Sequence, residues 1–286
     1  MGDQQRTVGD GRWTLGCQAR PWMLALGQET FPKRLPEVMA EIAAIGFTGF
    51  ETRLDHLPLD DPDGFAAASA RANGLALCGA HVGGTWWAPE GEERIPAIVA
   101  QARRLPALGC QRLVVSMTPL PSDATDARLR RMTDTLERLG QSCREVGGVE
   151  IVLHNHAGEL ANDARVLQMI VERCTPDAVS LGPDLGWVAH TGTDARAFLR
   201  RFASRTTYLH LRDVTAHGPT GQWTEVGRGI LDFPAILRTL AALEYRGWLV
   251  VESESAQEHG ATEARETAVA QFDGVQAALN AAGLAS

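Results

Sequence analysis

Two histidines, an aspartate and a glutamate stand where short aliphatic runs end. His154 follows Ile151-Val152-Leu153, Asp184 follows Gly182-Pro183, His210 follows Tyr208-Leu209, and Glu252 follows Leu249-Val250-Val251. Imidazoles and carboxylates together form a mixed nitrogen and oxygen donor set. That set suits a divalent ion such as Mn²⁺, Co²⁺ or Zn²⁺. A hard Mg²⁺ site is more often nearly all oxygen. Each residue also has an ordinary reading. A histidine in a chain with 8 of them is more often a hydrogen-bonded structural residue than a ligand. Asp184 suits a turn cap after Pro183, and Glu252 opens a Glu-Ser-Glu-Ser run that suits a solvated loop. The set gains weight from its placement at four successive strand ends. At His154 the alternatives stay open, because His156 and Glu159 are near enough to take its place.

Elements that alternate along the whole chain must position these residues. Short runs rich in Val, Ile and Leu predict strands over 13–17, 47–53, 75–82, 112–117, 150–154, 179–183, 207–212 and 248–252. Continuous rather than alternating apolar runs are how parallel strands covered on both faces read. Helical patterns lie between them, over 32–45, 62–73, 92–108, 124–146, 161–174, 194–202, 233–242 and 261–282. Several end at glycine, among them Gly46, Gly109 and Gly147-Gly148, as helix C-termini do. Eight strand–helix units in 286 residues predict a single (β/α)8 TIM barrel over residues 13–286. A doubly wound open sheet is the rival, but it would want a GxGxxG turn after its first strand, and none is present. Residues 1–12 are polar and glycine-containing, and read as a flexible leader.

Such barrels carry their chemistry at the C-terminal strand ends. Other residues at those ends become candidates for holding a substrate. Glu51 and His81 end the second and third strands. Arg212 follows His210 by two, so it shares a side of the strand and suits a hydroxyl or carboxylate. A salt bridge to a nearby acid serves Arg212 equally. Trp22, Trp86 and Trp87 fall in loops after strands one and three, where an indole can stack on a sugar ring or pack the loop.

Composition narrows the classes. The chain carries 27 Lys and Arg against 35 Asp and Glu, a net charge of -8, which gives no support for a nucleic-acid partner. The 5 cysteines form no CxxC pair and read as reduced thiols rather than a zinc site. No apolar run reaches the roughly 18 residues of a membrane span, and no signal peptide is visible, so the expected location is cytoplasmic. A homo-oligomer is left open.

Six stretches now carry a resemblance: GFTGFE at 46–51, VLHNHAGE at 152–159, GPDLGW at 182–187, LHLRDV at 209–214, EVGRGILDF at 225–233 and VVESE at 250–254. In this order they resemble the sugar phosphate isomerase/epimerase superfamily, the xylose-isomerase-like barrels. The resemblance covers residues 14–275. It implies a divalent metal held by Glu, Asp, His and Glu from strands five to eight. The last three fall on Asp184, His210 and Glu252. The first falls on His154, where most epimerases carry Glu, so one of the two acid/base glutamates of an epimerase is missing. Trp187 stands where many relatives have a histidine. The His-x-His pattern after strand five is similar to inosose dehydratases. The endonuclease IV branch needs more metal ligands, and the absent histidine at 187 counts against it.

The chemistry this implies is proton abstraction next to a carbonyl, with a Lewis-acidic ion stabilising the charge that develops. Glu252, His154, His156 and Glu159 are the candidate catalytic residues, and Glu159 suits orienting the His156 ring. The expected activity is a metal-dependent isomerase or epimerase acting on a keto-sugar or related polyol. The alternatives are a dehydratase acting on a keto-cyclitol, and a barrel that binds sugar without turning it over. No clustered Arg/Lys phosphate site is visible, so a free keto-sugar or inosose fits better than a sugar phosphate.

Overall fold

The computed structural model describes residues 7–8, 11–121, 124–253 and 261–285. Its strands are β1 (Trp13–Gln18), β2 (Gly49–Arg53), β3 (Ala76–Gly84), β4 (Arg112–Met117), β5 (Glu150–Leu153), β6 (Val179–Leu181), β7 (Tyr208–Leu211) and β8 (Gly247–Val251). They pair in parallel in the order β6-β5-β4-β3-β2-β1-β8-β7. Between β6 and β7 the ring is joined by two isolated parallel bridges, Leu181 to Thr206 and Asp184 to His210. Pro183 lies between the two bridges and has no N–H to donate to the ladder. The expected (β/α)8 barrel is therefore what the chain forms, nearly closed, with one loosely hydrogen-bonded seam.

The barrel interior is packed. Cys78, Val114, Val152, Tyr208, Trp248 and Val250 form a buried cluster inside the ring. Large rings fit there because small residues face them. A Cβ at Gly49 would meet the Trp248 ring at 2.4 Å, and one at Gly182 would meet Val152 at 2.5 Å. A second, larger apolar layer lies between the sheet and the helices.

The helices are α1 (Leu35–Ile45), α2 (Pro62–Arg71), α3 (Ile95–Ala102), α4 (Asp126–Gly147), α5 (Ala157–Arg173), α6 (Ala195–Phe202), α7 (Phe233–Ala242) and α8 (Ala261–Ala282). Side-chain caps start several of them: Thr125 accepts from Arg128 N, Asp194 from Ala197 N and Asp232 from Ala235 N.

The structure departs from the sequence expectation in several places. The single helix expected over 92–108 is three pieces, Pro89–Glu93, α3 and a 3₁₀ turn Leu105–Leu108. Each piece has a proline at its first or second position, where the missing N–H costs no helical hydrogen bond. Helix α5 starts at Ala157, earlier than expected, and kinks where Asn162, Asp163 and Ala164 have φ of 52°, 59° and 56°. Two short helices, Arg20–Leu26 and Leu185–His190, follow β1 and β6. After β7, Asp213–Val214 pairs with Trp223–Thr224 as a small hairpin. Within the expected leader, Thr7–Val8 pairs antiparallel with Trp13 and Thr14. Its residues 1–6 and 9–10 lie outside the described residues, as do Glu254 and Ser255 of the acidic run. All five cysteines are free and buried. Among the described residues, no helix is long and apolar enough to cross a membrane.

Candidate functional site

Each rim residue is delivered by a strand that ends beneath it. His154 follows β5 and donates its backbone N–H to Val115 O. His210 lies inside β7, and Glu252 follows β8, its N–H on Leu211 O. The ligand atoms of His154, His210 and Glu252 all lie within 4.8 Å of one another, and all three residues are buried. The two imidazoles face each other with Nδ1 to Nδ1 at 2.7 Å. At that distance one nitrogen donates and the other accepts, so the pair shares a proton.

Charge decides which ring keeps it. His210 Nε2 donates to Glu51 Oε2 at 2.8 Å. Burial works against an imidazolium at His210. The charge and hydrogen bond of Glu51, helped by Glu252 and Asp184, outweigh it and lift the ring to about 9. At His154 burial works the same way and is joined by His210, His156, His81 and Arg212, so this ring is held well below the usual histidine range. His210 is thus the donor of the pair and His154 the acceptor.

Glu51 is fully buried and has no freedom of its own. Its carboxylate also accepts from Tyr208 Oη at 2.9 Å and Gln18 Nε2 at 2.8 Å. Burial would raise it, but His210 and then His81 and Gln18 hold it down at about 2. A carboxylate behind an imidazole is the arrangement that orients metal-ligating histidines. Glu51 therefore orients His210 and also lines the cavity beside it.

Arg212 ties the two remaining acids together. Its Nη2 lies 3.1 Å from Asp184 Oδ2 and also donates to Glu252 Oε1. Asp184 spends its other oxygen as the cap of the helix Leu185–His190, accepting Trp187 N at 3.1 Å. Burial pushes Asp184 up to about 6 against the pull of Arg212. Burial would also raise Glu252, yet Arg212 and His210 hold it below the ordinary carboxylate range. Glu252 Oε2 is buried without a hydrogen-bond partner, 3.8 Å from His210 Nδ1.

Two imidazole nitrogens sharing one proton, backed by a carboxylate and flanked by an open carboxylate oxygen, fit a divalent ion of intermediate hardness. The structure brings the ligand atoms of His154, His210 and Glu252 close enough that they could hold one. Asp184 shares the rim but turns its carboxylate to Arg212 and Trp187.

A cavity of about 200 Å³ opens beside this group. His154, His156 and Glu252 line one wall; Arg20, His81 and Ser116 are among the residues of the rest. The His156 ring sits edge-on to His154, with centroids 4.8 Å apart. Glu159 holds His156 in a way the sequence did not suggest. Its carboxylate accepts the His156 backbone N–H at 2.7 Å as part of a capping box, while the ring nitrogen is 4.0 Å away.

Of the two readings for Trp22, Trp86 and Trp87, sugar stacking or loop packing, the structure favours the second, and none of the three is among the residues lining this cavity. Trp22 is 1% exposed and donates to Glu41. Trp86 is fully buried, its Nε1 on Ser116 O, and Trp87 donates to Thr118 O beneath Arg128. They pack loops. Different aromatics crowd the site, Trp187 and Trp223, with ring centroids 4.6 Å apart. Arg212 lies under Trp223 at 4.3 Å. Trp223 comes from the hairpin after β7, and no local pattern announces its partner 36 residues away in the chain.

With the geometry in place, comparison adds its part. The sequence pattern of the xylose isomerase-like TIM barrel family matches residues 39–271. An inosose dehydratase of Geobacillus kaustophilus is 28% identical over 249 residues, 76% of this chain and 79% of that protein. The 3-keto-D-glucoside 4-epimerase YcjR of E. coli superposes with a TM-score of 0.69 at 23% identity, covering 90% of this chain and 97% of that one. A D-psicose 3-epimerase of Clostridium cellulolyticum H10 superposes with a TM-score of 0.72 at 17% identity, covering 93% and 99%. At these identities the two structures speak for the fold.

Proposed function

We propose that this chain, which belongs to the xylose isomerase-like TIM barrel family, is a divalent-metal-dependent enzyme that removes water from a small cyclic keto-polyol such as an inosose. The observation that carries this reading is the donor set of His154, His210 and Glu252 at the edge of a cavity of about 200 Å³, room for a single ring. Those three residues would hold the ion, with Asp184 beside them. When bound, the ion supplies Lewis-acid stabilisation to the negative charge that develops on the substrate carbonyl oxygen.

The protein's own groups do the rest. Glu252 has one oxygen on Arg212 and the other facing the histidines, so it is poorly placed to take a proton from carbon. His156 lies on the cavity wall with its side chain 37% exposed, and its backbone is fixed by buried Glu159. It takes the proton next to the carbonyl and returns it to the departing β-hydroxyl, which leaves as water. Elimination needs this one acid/base on one side. Epimerisation through two carboxylates would need a second free carboxylate, and the oxygens of Glu51 are already engaged.

A second reading, isomerisation or epimerisation, draws on His81, which lines the same cavity and offers another acid/base group. Incubation of the Mn²⁺- or Co²⁺-supplemented protein with inososes and free keto-sugars in D₂O separates the readings. Elimination gives a product lighter by one water. Epimerisation gives solvent deuterium at the inverted carbon with no loss of water. If every substrate keeps all its carbon-bound hydrogen, proton abstraction is not the activity. His156→Gln should lower turnover by about 10²–10⁴-fold while leaving metal uptake intact.

A further inference from the structure

The cavity beside the histidines has a neighbour. A second cavity, of about 240 Å³ against about 200 Å³ for the first, lies between the ends of β2 and β3 and the helix α3. Arg53 and His81 line both. The His81 ring stands edge-on to His154, with centroids 6.3 Å apart. The second cavity thus begins one imidazole away from the candidate metal group.

Gly83 keeps the two cavities within reach of each other. It lines the second one and lies two residues after His81, on the same face of β3. A Cβ at Gly83 would meet Ser116 Oγ at 3.4 Å, and Ser116 lines the first cavity. A larger side chain there would fill the space beside Ser116.

The groups around the second cavity suit hydroxyls. Asp55 holds Arg53 through Nε and Nη2, at 2.9 and 2.6 Å. Arg94 Nη1 donates to Gly83 O at 2.8 Å, and its guanidinium lies over the Trp86 ring, 5.7 Å from the centroid. Both guanidinium planes are thus fixed in direction, and Arg53 Nη1 and Arg94 Nη2 stay outside these bonds. Asp55 accepts, Gln101 both donates and accepts, and Val82 and Ile98 add apolar surface. A hydroxyl donates and accepts, and a sugar ring adds C–H faces, so each of these features finds a use. A phosphate or carboxylate offers mainly acceptors, and Asp55 would repel it.

We propose that the second cavity is a subsite for a hydroxylated ring attached to the reacting one, so that the substrate is a keto-polyol bearing a glycosyl substituent. This rests on the reading that the first cavity takes the reacting ring, and extends it.

Calorimetry of the Mn²⁺-supplemented protein tests this without any turnover. The probes are galactinol against myo-inositol and cellobiose against glucose, each pair differing by one hydroxylated ring. At least one two-ring probe should bind about tenfold more tightly than its single-ring partner, the worth of one or two hydrogen bonds. Gly83→Val should narrow the passage, and Gln101→Trp should fill the second cavity from α3. Each should bring that ratio to about one. The ratio is read within each variant, so a partial loss of folded protein does not alter it. If neither two-ring probe outbinds its partner in wild type, or if the advantage survives both variants, the proposal fails. If myo-inositol 1-phosphate gains affinity instead and Gln101→Trp removes the gain, the second cavity holds an anion and the proposal fails. If no inosose or keto-sugar is turned over but a two-ring probe keeps its advantage and loses it in the variants, the proposed reaction fails while the subsite stands.

Discussion

Two arginines sit with glutamates at opposite ends of one barrel, and they are handled differently. At the N-terminal end, Arg112 lies 3.6 Å from Glu150, and both side chains are 25% exposed. Glu150 Oε1 also accepts the Ser180 and Thr207 hydroxyls at 2.6 and 2.7 Å, and Arg112 reaches the Cys78 carbonyl. At the C-terminal end, Arg212 is buried with Asp184 and Glu252, and one oxygen of Glu252 is left unmet beside two histidines that share a proton. Both clusters cost desolvation. The lower one reduces that cost by keeping contact with water and recruiting hydroxyls, and only a donor, Arg112 Nε, lacks a hydrogen-bond partner there. The upper one leaves two buried acceptors without hydrogen bonds, Asp184 Oδ2 and Glu252 Oε2, each destabilising by about 1–3 kcal/mol unless something occupies it. Fold stability explains the first arrangement; the second makes sense as a site.

Mutations can break this contrast. The largest effect should come from Arg212→Met, which strands two buried carboxylates and should cost about 3–5 kcal/mol in urea unfolding. A loss under 1 kcal/mol would mean the acids are not held by Arg212. Glu51→Gln should cost about 1–3 kcal/mol of stability and weaken Mn²⁺ or Co²⁺ binding by about 10–100-fold, measured by calorimetry, because His210 loses its orienting carboxylate. Unchanged affinity would separate Glu51 from the metal site. Gly49→Ala tests the packed interior below: its methyl must displace the Trp248 ring, and about 1–3 kcal/mol should be lost with no change in metal affinity. Arg112→Met should have the smallest effect, about 1 kcal/mol or less, because its ion pair is partly solvated. A cost equal to that of Arg212→Met would erase the distinction between the two ends.

Much of this layout was legible before any coordinates. A polar residue at the end of an aliphatic run is a linear pattern, and it located His154, His210 and Glu252 because a parallel barrel delivers every strand end to one rim. The i, i+2 spacing of His210 and Arg212 likewise put both on one side of β7. What stayed hidden depends on partners distant in sequence. Trp86 looks like any loop tryptophan until its Nε1 is seen on Ser116 O, 30 residues on. Glu51 does line the cavity, but its bond to His210, 159 positions away, could not be read from the chain. Glu159 was assigned to the right neighbour but to the wrong atom, since a capping box binds the backbone of His156. Trp223 and Arg212 meet only because a hairpin folds back, and hairpins of two-residue strands leave almost no periodic signal.

The seam beside Pro183 has a consequence for how the barrel breathes. Elsewhere the strands are joined by ladders of three or more paired residues, and opening one means breaking several hydrogen bonds together. Between β6 and β7 two separate bridges carry the closure, and one of them is Asp184 to His210. Local opening should therefore begin there, with amides flanking the seam exchanging with solvent through smaller fluctuations than those of β3 and β4. The staves that part most easily are the two that carry Asp184 and His210, so an ion or substrate that spans them would act as a hoop, tightening the whole ring from its rim.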